Sequence, residues 1–261
     1  MAKAMLIDVS KCTGCRACQV ACKAWNDLPG EVTTCLGYYD NPPDLSPNTW
    51  NRIAFYEIER EGGQVAWLFR SIRCMHCTDA PCVRVCPTGA LYKDPLGFTA
   101  YDESKCNGCG YCTQFCPFHI PRLKDATVWG KGKVAKCTFC QDRVVNGLIP
   151  ACAQACPTGA IEFGERDELV AEGRARVDTL KAKGYDEANL YGKNLLGGLG
   201  TMYVLTDPPD TFGLPEAPSG ALAEVWQLQT LGGIGIAVGA TALGLLINWL
   251  IARKQIKVEE M

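Results

Sequence analysis

The sequence predicts an α+β fold: two nested modules of short strands and helical turns, a β-hairpin insertion, and one C-terminal transmembrane helix. Three observations carry this. Cysteine is heavily over-used, 17 in 261 residues, and all but Cys35 fall in four tight groups between Cys12 and Cys156. Short apolar stretches at Met5–Val9, Gly97–Tyr101 and Ala160–Phe163 flank those groups and read as strands, with a helical turn or short helix through each group. Near the C-terminus, Leu231–Ile251 is an apolar run of 21 residues. At about 1.5 Å per residue it spans roughly 30 Å, the thickness of a bilayer core.

The rest of the composition narrows the classes of function. A formal net charge of -2 offers no basic excess for nucleic acid. The N-terminus, MAKAMLIDVSK, lacks an apolar core of secretory length, so no signal peptide is expected. A chain without its own export signal meets a reducing cytosol first, where clustered cysteines bind metal more often than they form disulfides.

The four groups follow one pattern. Group one is Cys12-x2-Cys15-x2-Cys18-x3-Cys22, and group two is Cys74-x2-Cys77-x4-Cys82-x3-Cys86. Group three is Cys106-x2-Cys109-x2-Cys112-x3-Cys116, and group four is Cys137-x2-Cys140-x11-Cys152-x3-Cys156. The bacterial ferredoxin run is C-x2-C-x2-C-x3-C-P, and its fourth cysteine ligates the other cluster of the pair. Groups one and three match that spacing; groups two and four widen its middle.

Two residues between ligands let a tight loop present both thiolates to one face of a cluster. Gly14, Gly108 and Gly110 permit positive φ and close backbone approach, and N–H groups in such loops point at sulfur and stabilise its negative charge. Pro87, Pro117 and Pro157 turn the chain away after the last cysteine. Lys23 stands in that place after Cys22, so there the turn must come from elsewhere. Zinc sites of four cysteines also use C-x2-C pairs, but zinc leaves the third closely spaced cysteine and the recurring x3-C-P without a purpose. No ligand is missing from any group. The expected cofactors are therefore four 4Fe–4S clusters, and the modules are bacterial-ferredoxin-like.

Repeats set the pairing. CPTGAL at 86–91 recurs as CPTGAI at 156–161, and the run Asp-x-x-Lys-Cys occurs at Asp8–Cys12 and again at Asp102–Cys106. Groups two and three thus read as one unit, module B (residues 74–129). Groups one and four bracket it as module A (residues 1–35 and 130–190), with the strand at Met5–Val9 pairing near Ala160–Phe163. Ligands then cross within each module. Cys12, Cys15, Cys18 and Cys156 hold the first cluster, and Cys22, Cys137, Cys140 and Cys152 the second. Cys74, Cys77, Cys82 and Cys116 hold the third, and Cys86, Cys106, Cys109 and Cys112 the fourth.

Residues 36–73 read as an insertion. Asn41–Asn48 is a proline-rich loop, and Ile53–Glu59 and Gln64–Arg70 alternate around Glu61-Gly62-Gly63, the pattern of a hairpin. Residues 165–190, with Leu169, Val170, Val177 and Leu180 at roughly helical spacing, read as a solvated amphipathic helix without chemistry. Residues 191–224 are expected to form a connector, rigid and proline-rich over 206–220. The transmembrane helix follows at 225–253, and a cytoplasmic tail at 254–261. Gly235-xxx-Gly239 and Ala240-xxx-Gly244 allow close helix packing, so the helix is expected to have membrane partners.

Arg253, Lys254 and Lys257 follow the apolar run, whereas residues 206–230 carry Asp207, Asp210, Glu216 and Glu224 but no lysine or arginine. The positive-inside rule then puts the C-terminus in the cytoplasm and the cysteine-rich body on the periplasmic side. Export of that body implies a partner that carries a signal, and a folded, cluster-loaded body suits a twin-arginine route. The run contains no histidine, so the chain by itself offers no bis-histidine haem site in the bilayer.

Several residues near the groups are read as structural. Cys35 is expected to be a packed free cysteine. His76 and His119 are expected to be packed or solvated, not to tune a cluster. Arg70, Arg73, Arg84, Lys105 and Lys136 are expected to be mostly solvated, and Trp25, Trp67 and Trp129 to lie in the core. No catalytic constellation is present.

Beyond the cysteines, the text of the chain resembles the β subunit of membrane-bound formate dehydrogenases, within the four-cluster electron-transfer subunits of molybdopterin oxidoreductases. The resemblance runs over essentially the whole length. It rests on Cys12-Thr-Gly-Cys-Arg-Ala-Cys-Gln-Val-Ala-Cys22 with Trp25-Asn26-Asp27, on Trp67-Leu-Phe-Arg70 leading to Cys74-Met-His-Cys77, and on Gly108-Cys-Gly-Tyr-Cys112. Cys116-Pro-Phe-His-Ile-Pro-Arg122, Lys136-Cys-Thr-Phe-Cys140, Asp142-Arg-Val144 and Gly213-Leu-Pro215 continue it. It implies a catalytic subunit that oxidises formate on a molybdenum or tungsten pterin, a membrane cytochrome b that passes electrons to quinone, and a wire of clusters between them, with the same crossed ligand pairing. A higher oligomer of that complex is compatible with it. The same role in a polysulfide, thiosulfate, nitrate or organic-oxide reductase is the alternative, and a cluster-based redox sensor is a further one.

Overall fold

The first strand, β1 (Lys3–Asp8), decides the layering of the body. In a computed structural model, which describes residues 2–34, 37, 39–124 and 132–255, its side chains alternate between two faces, as a strand's must. Ala4 and Leu6 join a small apolar cluster, while Met5 and Ile7 join the large one that contains the cysteines. Cys35 and Trp129 lie outside the described residues.

α1 (Ala17–Trp25) runs through Cys18 and Cys22 and is nine residues long. Its length follows from Lys23. In the other groups a proline directly after the last cysteine cannot continue a helix, and α2 (Pro81–Arg84), α3 (Tyr111–Gln114) and α5 (Ala151–Gln154) each stop after four residues. Where lysine replaces proline the helix continues to Trp25, and Asn26 ends it by donating its N–H to the carbonyl of Cys22 (3.2 Å). Between α1 and α2, β2 (Arg52–Glu59) and β3 (Val65–Ile72) form the expected antiparallel hairpin, from Arg52 opposite Ile72 to Glu59 opposite Val65. Gly62 and Gly63 turn it at φ 80° and 72°, a region glycine enters without steric cost.

The sequence repeats become structural repeats. β4 (Leu91–Lys93), which follows the first CPTGA, pairs antiparallel with β5 (Thr99–Tyr101), which precedes group three. A minor ribbon, β6 (Arg122–Leu123) with β7 (Val134–Ala135), leads to α4 (Gln141–Val144) and α5 in group four. β8 (Ile161–Glu165), which follows the second CPTGA, pairs antiparallel with β1. The two pairs match bond for bond: the N–H of Asp102 donates to the carbonyl of Ala90, and that of Asp8 to the carbonyl of Ala160, both at 2.8 Å. Asp8 and Asp102 also each accept the N–H of the serine two residues on, at 2.9 and 3.0 Å. Each thereby caps a short 3-10 turn, as aspartate does at helix starts. One pair lies within the chain segment that the other brackets.

α6 (Arg166–Lys181) packs Leu169 and Leu180 on the face of the sheet that carries Ala4 and Leu6. Beyond it the structure departs from the expected connector. β9 (Asn189–Tyr191) and β10 (Thr201–Leu205) belong to the main sheet, whose order is β8-β1-β10-β9. β10 runs parallel to β1, from Met5 opposite Thr201 to Asp8 opposite Val204, and all its residues are buried. A short strand covered on both faces shows no alternation of apolar and polar residues, so the run at 201–205 carries no strand signature. Trp25 and Trp67, expected in the core, are 44 % and 45 % exposed. Trp25 instead donates its ring N–H to Asp142 (2.8 Å) and stacks under the Arg143 guanidinium, 4.2 Å from the ring centroid.

The chain divides at residue 220. The second unit contains α7 (Ala221–Gln255), 35 residues long and wider at both ends than the expected span 225–253. Among the described residues, no helix is long and apolar enough to cross a membrane, so the transmembrane expectation stands on the sequence run alone.

Gly200, just before β10, tests the seating of that strand. Its N–H donates to the His76 carbonyl, its carbonyl accepts from Met5 N–H, and a Cβ there would lie 2.9 Å from the His76 carbonyl oxygen. Gly200→Val is expected to cost about 1–3 kcal/mol, lowering the thermal midpoint by roughly 2–4 °C per kcal/mol. An unchanged midpoint by circular dichroism would show that β10 is not held as described.

Candidate functional site

Each cysteine group opens on Cys-x-x-Cys, and in all four the residue before the second cysteine is left-handed. Gly14, His76, Gly108 and Phe139 have φ of 67°, 48°, 76° and 64°. This conformation turns successive N–H groups toward one side and makes a nest for negative charge. The N–H of Gly14 accordingly bonds the sulfur of Cys12, and that of Gly108 the sulfur of Cys106. His76 and Phe139 adopt the same conformation without glycine's freedom, which costs on the order of 1–3 kcal/mol. Their rings pack together with centroids 4.5 Å apart, and Phe139 also lies 5.5 Å from Phe98.

The fold gathers the thiols in quartets drawn from different groups. Burial pushes the Cys12 thiol up to about 11, and the thiols that add to this are Cys18, Cys156 and Cys15. Burial holds Cys22 well above the usual thiol range, with Cys137, Cys152 and Cys140 pressing on it. Those four line one small cavity together with Met5, Arg73 and Phe139. Cys77 is raised by burial and then by Cys74, Cys82 and Cys116. Cys112 is pushed up to about 12 by burial and by Cys109, Cys106 and Cys86, and this quartet lines a second cavity with Gly108 and Gly110.

Electrostatic neighbours across quartets order them in a row. Cys18 of the first interacts with Cys152 of the second, Cys137 of the second with Cys74 of the third, and Cys82 of the third with Cys112 of the fourth. Cys15 and Cys109, in the two end quartets, are exposed, whereas every thiol of the second quartet is buried. The row therefore opens to the surface at its ends and is most deeply buried at the second quartet, with Cys116 of the third half-buried.

Several residues expected to be solvated are part of this interior. Arg73 and Lys136 are each only 1 % exposed and Arg70 is also buried, so of the five basic residues only Lys105 and Arg84 keep substantial exposure; of the two histidines, His76 is packed and His119 exposed. A basic residue precedes the first cysteine of every group, at Lys11, Arg73, Lys105 and Lys136. Lys11 and Lys105 pair with Glu162 and Asp102, while Arg73 and Lys136 face inward. Lys136 donates to the carbonyls of Thr99 and Cys137 (2.9 and 3.0 Å) and works against the burial that raises the Cys82 thiol. Burial, then Lys136, Lys93 and Arg73, hold His76 well below the usual imidazole range, so it is neutral. Its Nδ1 accepts the Thr99 N–H at 3.3 Å.

The donor set fits iron–sulfur clusters. None of the sixteen described cysteines is in a disulfide. Buried donors sit beside the thiols: the Asn51 amide toward Cys18, the Tyr101 hydroxyl toward Cys106, and Arg73 Nη2, which has no partner among the described residues. An unsatisfied buried donor costs about 1–3 kcal/mol, and cluster sulfur is an acceptor placed to remove that cost. Among the described residues, no three His, Cys, Asp or Glu side chains are gathered closely enough for a single metal ion. The second and fourth quartets each line a cavity instead, which suits a polynuclear cluster held by four thiolates. Sequence reading did not single out Asn51 or Tyr101. Both come from outside the cysteine groups, and no spacing signal marks them.

The comparisons agree with this chemistry. Two family models, each described as a 4Fe-4S dicluster domain, match residues 7–90 and 65–166. The chain is 44 % identical over 254 residues to the iron-sulfur subunit of the nitrate-inducible formate dehydrogenase of Escherichia coli, covering 95 % of this chain and 84 % of that protein. It is 42 % identical over 253 residues to the formate dehydrogenase iron-sulfur subunit of Haemophilus influenzae, with coverage of 95 % and 80 %. Over 165 residues it is 41 % identical to a thiosulfate reductase electron transfer subunit of Salmonella typhi, covering 63 % of this chain and 76 % of that one.

Phe139 reports on how the site is held. Phe139→Ala is expected to cost about 3–5 kcal/mol through loss of a buried ring. Phe139→Gly is expected to be no worse, because glycine takes φ 64° without strain. Thermal midpoints of the two variants check this, and a clearly less stable glycine variant would count against a strained loop.

Proposed function

The chain belongs to the iron–sulfur subunits of the formate dehydrogenases, and on that footing we propose that it is the electron-transfer subunit of a formate-oxidising molybdopterin enzyme. Four 4Fe–4S clusters are its cofactors. Cys12, Cys15, Cys18 and Cys156 hold the first, and Cys22, Cys137, Cys140 and Cys152 the second. Cys74, Cys77, Cys82 and Cys116 hold the third, and Cys86, Cys106, Cys109 and Cys112 the fourth. When bound, the clusters supply one-electron acceptance and donation. The chain's own part is to hold the thiolates, direct N–H donors at sulfur, and keep water from the middle of the row. The row of quartets, open at both ends and most deeply buried at the second, is the observation that carries this reading.

One end of the row then meets the catalytic subunit and the other a membrane cytochrome b that hands electrons to quinone. The uncharged run Leu231–Ile251 supports a single membrane span at 225–253, in contact with lipid and with the cytochrome. Arg253, Lys254 and Lys257 after the run support a cytoplasmic tail at 254–261 and a body on the periplasmic side. The thiosulfate reductase relative favours a second reading, the same wire serving another molybdopterin oxidoreductase.

Copurification from solubilised membranes is expected to yield the chain with a molybdenum or tungsten subunit, about sixteen iron atoms per chain, and formate-dependent quinone reduction. Activity on thiosulfate with none on formate would replace the leading reading by the second. Crossed ligation has its own signature: Cys156→Ala and Cys15→Ala are expected to remove the same cluster signal, and Cys22→Ala the signal that Cys152→Ala removes. Pairing of Cys156 with Cys152 in that experiment would overturn the assignment. Protease added outside spheroplasts is expected to digest the body; full protection would reverse the orientation.

A further inference from the structure

We infer that Arg73 is a fixed internal cation shared by the first two clusters, and that it raises the reduction potential of both. The inference rests on the ligand quartets proposed above. Arg73 lies at their junction. Its Nη1 points at the sulfur of Cys152 (2.9 Å), a ligand of the second cluster, and at Met5 Sδ (3.1 Å). The thiols acting on its charge are Cys152, Cys18 and Cys137, which belong to both quartets. Its Nε donates to Ser71 Oγ (2.8 Å), whose hydroxyl donates to Asn51 Oδ1 (2.6 Å). The amide nitrogen of that Asn51 lies beside Cys18 of the first cluster. Arg73, Ser71 and Asn51 are each 2 % exposed or less, so a single buried polar chain runs from one quartet to the other.

Among the described residues, no carboxylate forms an ion pair with Arg73, whereas Arg52, Arg60, Arg122 and Arg176 each have one. A guanidinium does not deprotonate inside a protein, and a buried cation is tolerated only beside compensating negative charge. Here the thiolates and the clusters they hold are what supplies it. One electron added to either cluster adds one negative charge and no proton, and the nearby cation stabilises that state. Because the same cation serves both quartets, it moves the two potentials in the same direction. Net charge and hydrogen bonds to sulfur are established levers on cluster potential.

The test uses the full chain, purified anaerobically with its partners, after iron and sulfide content has been measured. Wild type lacking four clusters removes the quartet assignment itself, separately from this inference. With four clusters present, potentiometric titration followed by electron paramagnetic resonance is run on Arg73→Met, Arg73→Lys and Lys105→Met. Arg73→Met is expected to lower the reduced-to-oxidised ratio of two clusters at fixed potential by roughly tenfold, about 59 mV for a one-electron couple. The other two clusters keep their potentials. Arg73→Lys, which retains the charge, is expected to restore most of that shift. Lys105→Met, which removes an exposed cation beside Cys106, is expected to change none of the four. Unchanged potentials in fully loaded Arg73→Met, or an equal shift of all four clusters, overturns the inference. So does loss of iron in both Arg73 variants, which would assign the guanidinium to cluster retention alone.

Discussion

Negative charge on sulfur, buried away from water, is the constraint to which most of this structure answers. A thiolate or a cluster in a low-dielectric interior needs donors and cations around it, and the chain provides them at three levels. Left-handed residues at Gly14, His76, Gly108 and Phe139 turn backbone N–H groups inward. Side chains from outside the cysteine groups, Asn51 and Tyr101, place donors beside Cys18 and Cys106. Arg73 and Lys136 put formal positive charge where solvent cannot. Without metal the same burial raises thiols such as Cys12, Cys22, Cys77 and Cys112 and favours their protonated form, so cluster assembly and completion of the fold are coupled.

The nesting of the modules follows from the same need. The fold places the fourth cysteine of each group among the thiols of its partner group, so two groups must be held side by side by something other than the cofactor. In the inner module β4 and β5 do this across a short turn. In the outer module the partners are separated by most of the body, and the antiparallel pairing of β1 with β8 brings them together. Adding β10 on the other side of β1 leaves that central strand without a free edge, and α6 seals the outer face. The arrangement fixes two long-range thiol pairings with main-chain bonds, whose geometry tolerates little drift.

Electron transfer needs access at the ends of the row and insulation between them. Cys15 and Cys109 are exposed, while the second quartet is enclosed by Met5, Arg73 and Phe139. Such a row suits a subunit that relays electrons between partners and performs no bond chemistry of its own, as expected within the formate dehydrogenase iron–sulfur subunits to which the chain belongs.

By itself the sequence determined the cysteine groups, the repeat pairs and the hairpin, because each is written in local spacing. Cys-x2-Cys geometry, proline after cysteine, and CPTGA with Asp-x-x-Lys-Cys are short-range signals. Tertiary structure decided what depends on residues distant in the chain. It made Thr201–Leu205 a central strand, since a strand buried on both faces has no alternation to read. It ordered the quartets into a row, since that order arises from packing between modules. It also distinguished Arg73 and Lys136 from Lys11 and Lys105: all four occupy the same position before a first cysteine, but only the first two are covered by neighbouring elements. Whether a charge is solvated or tunes a buried site is set by what packs over it, and the local sequence does not encode that.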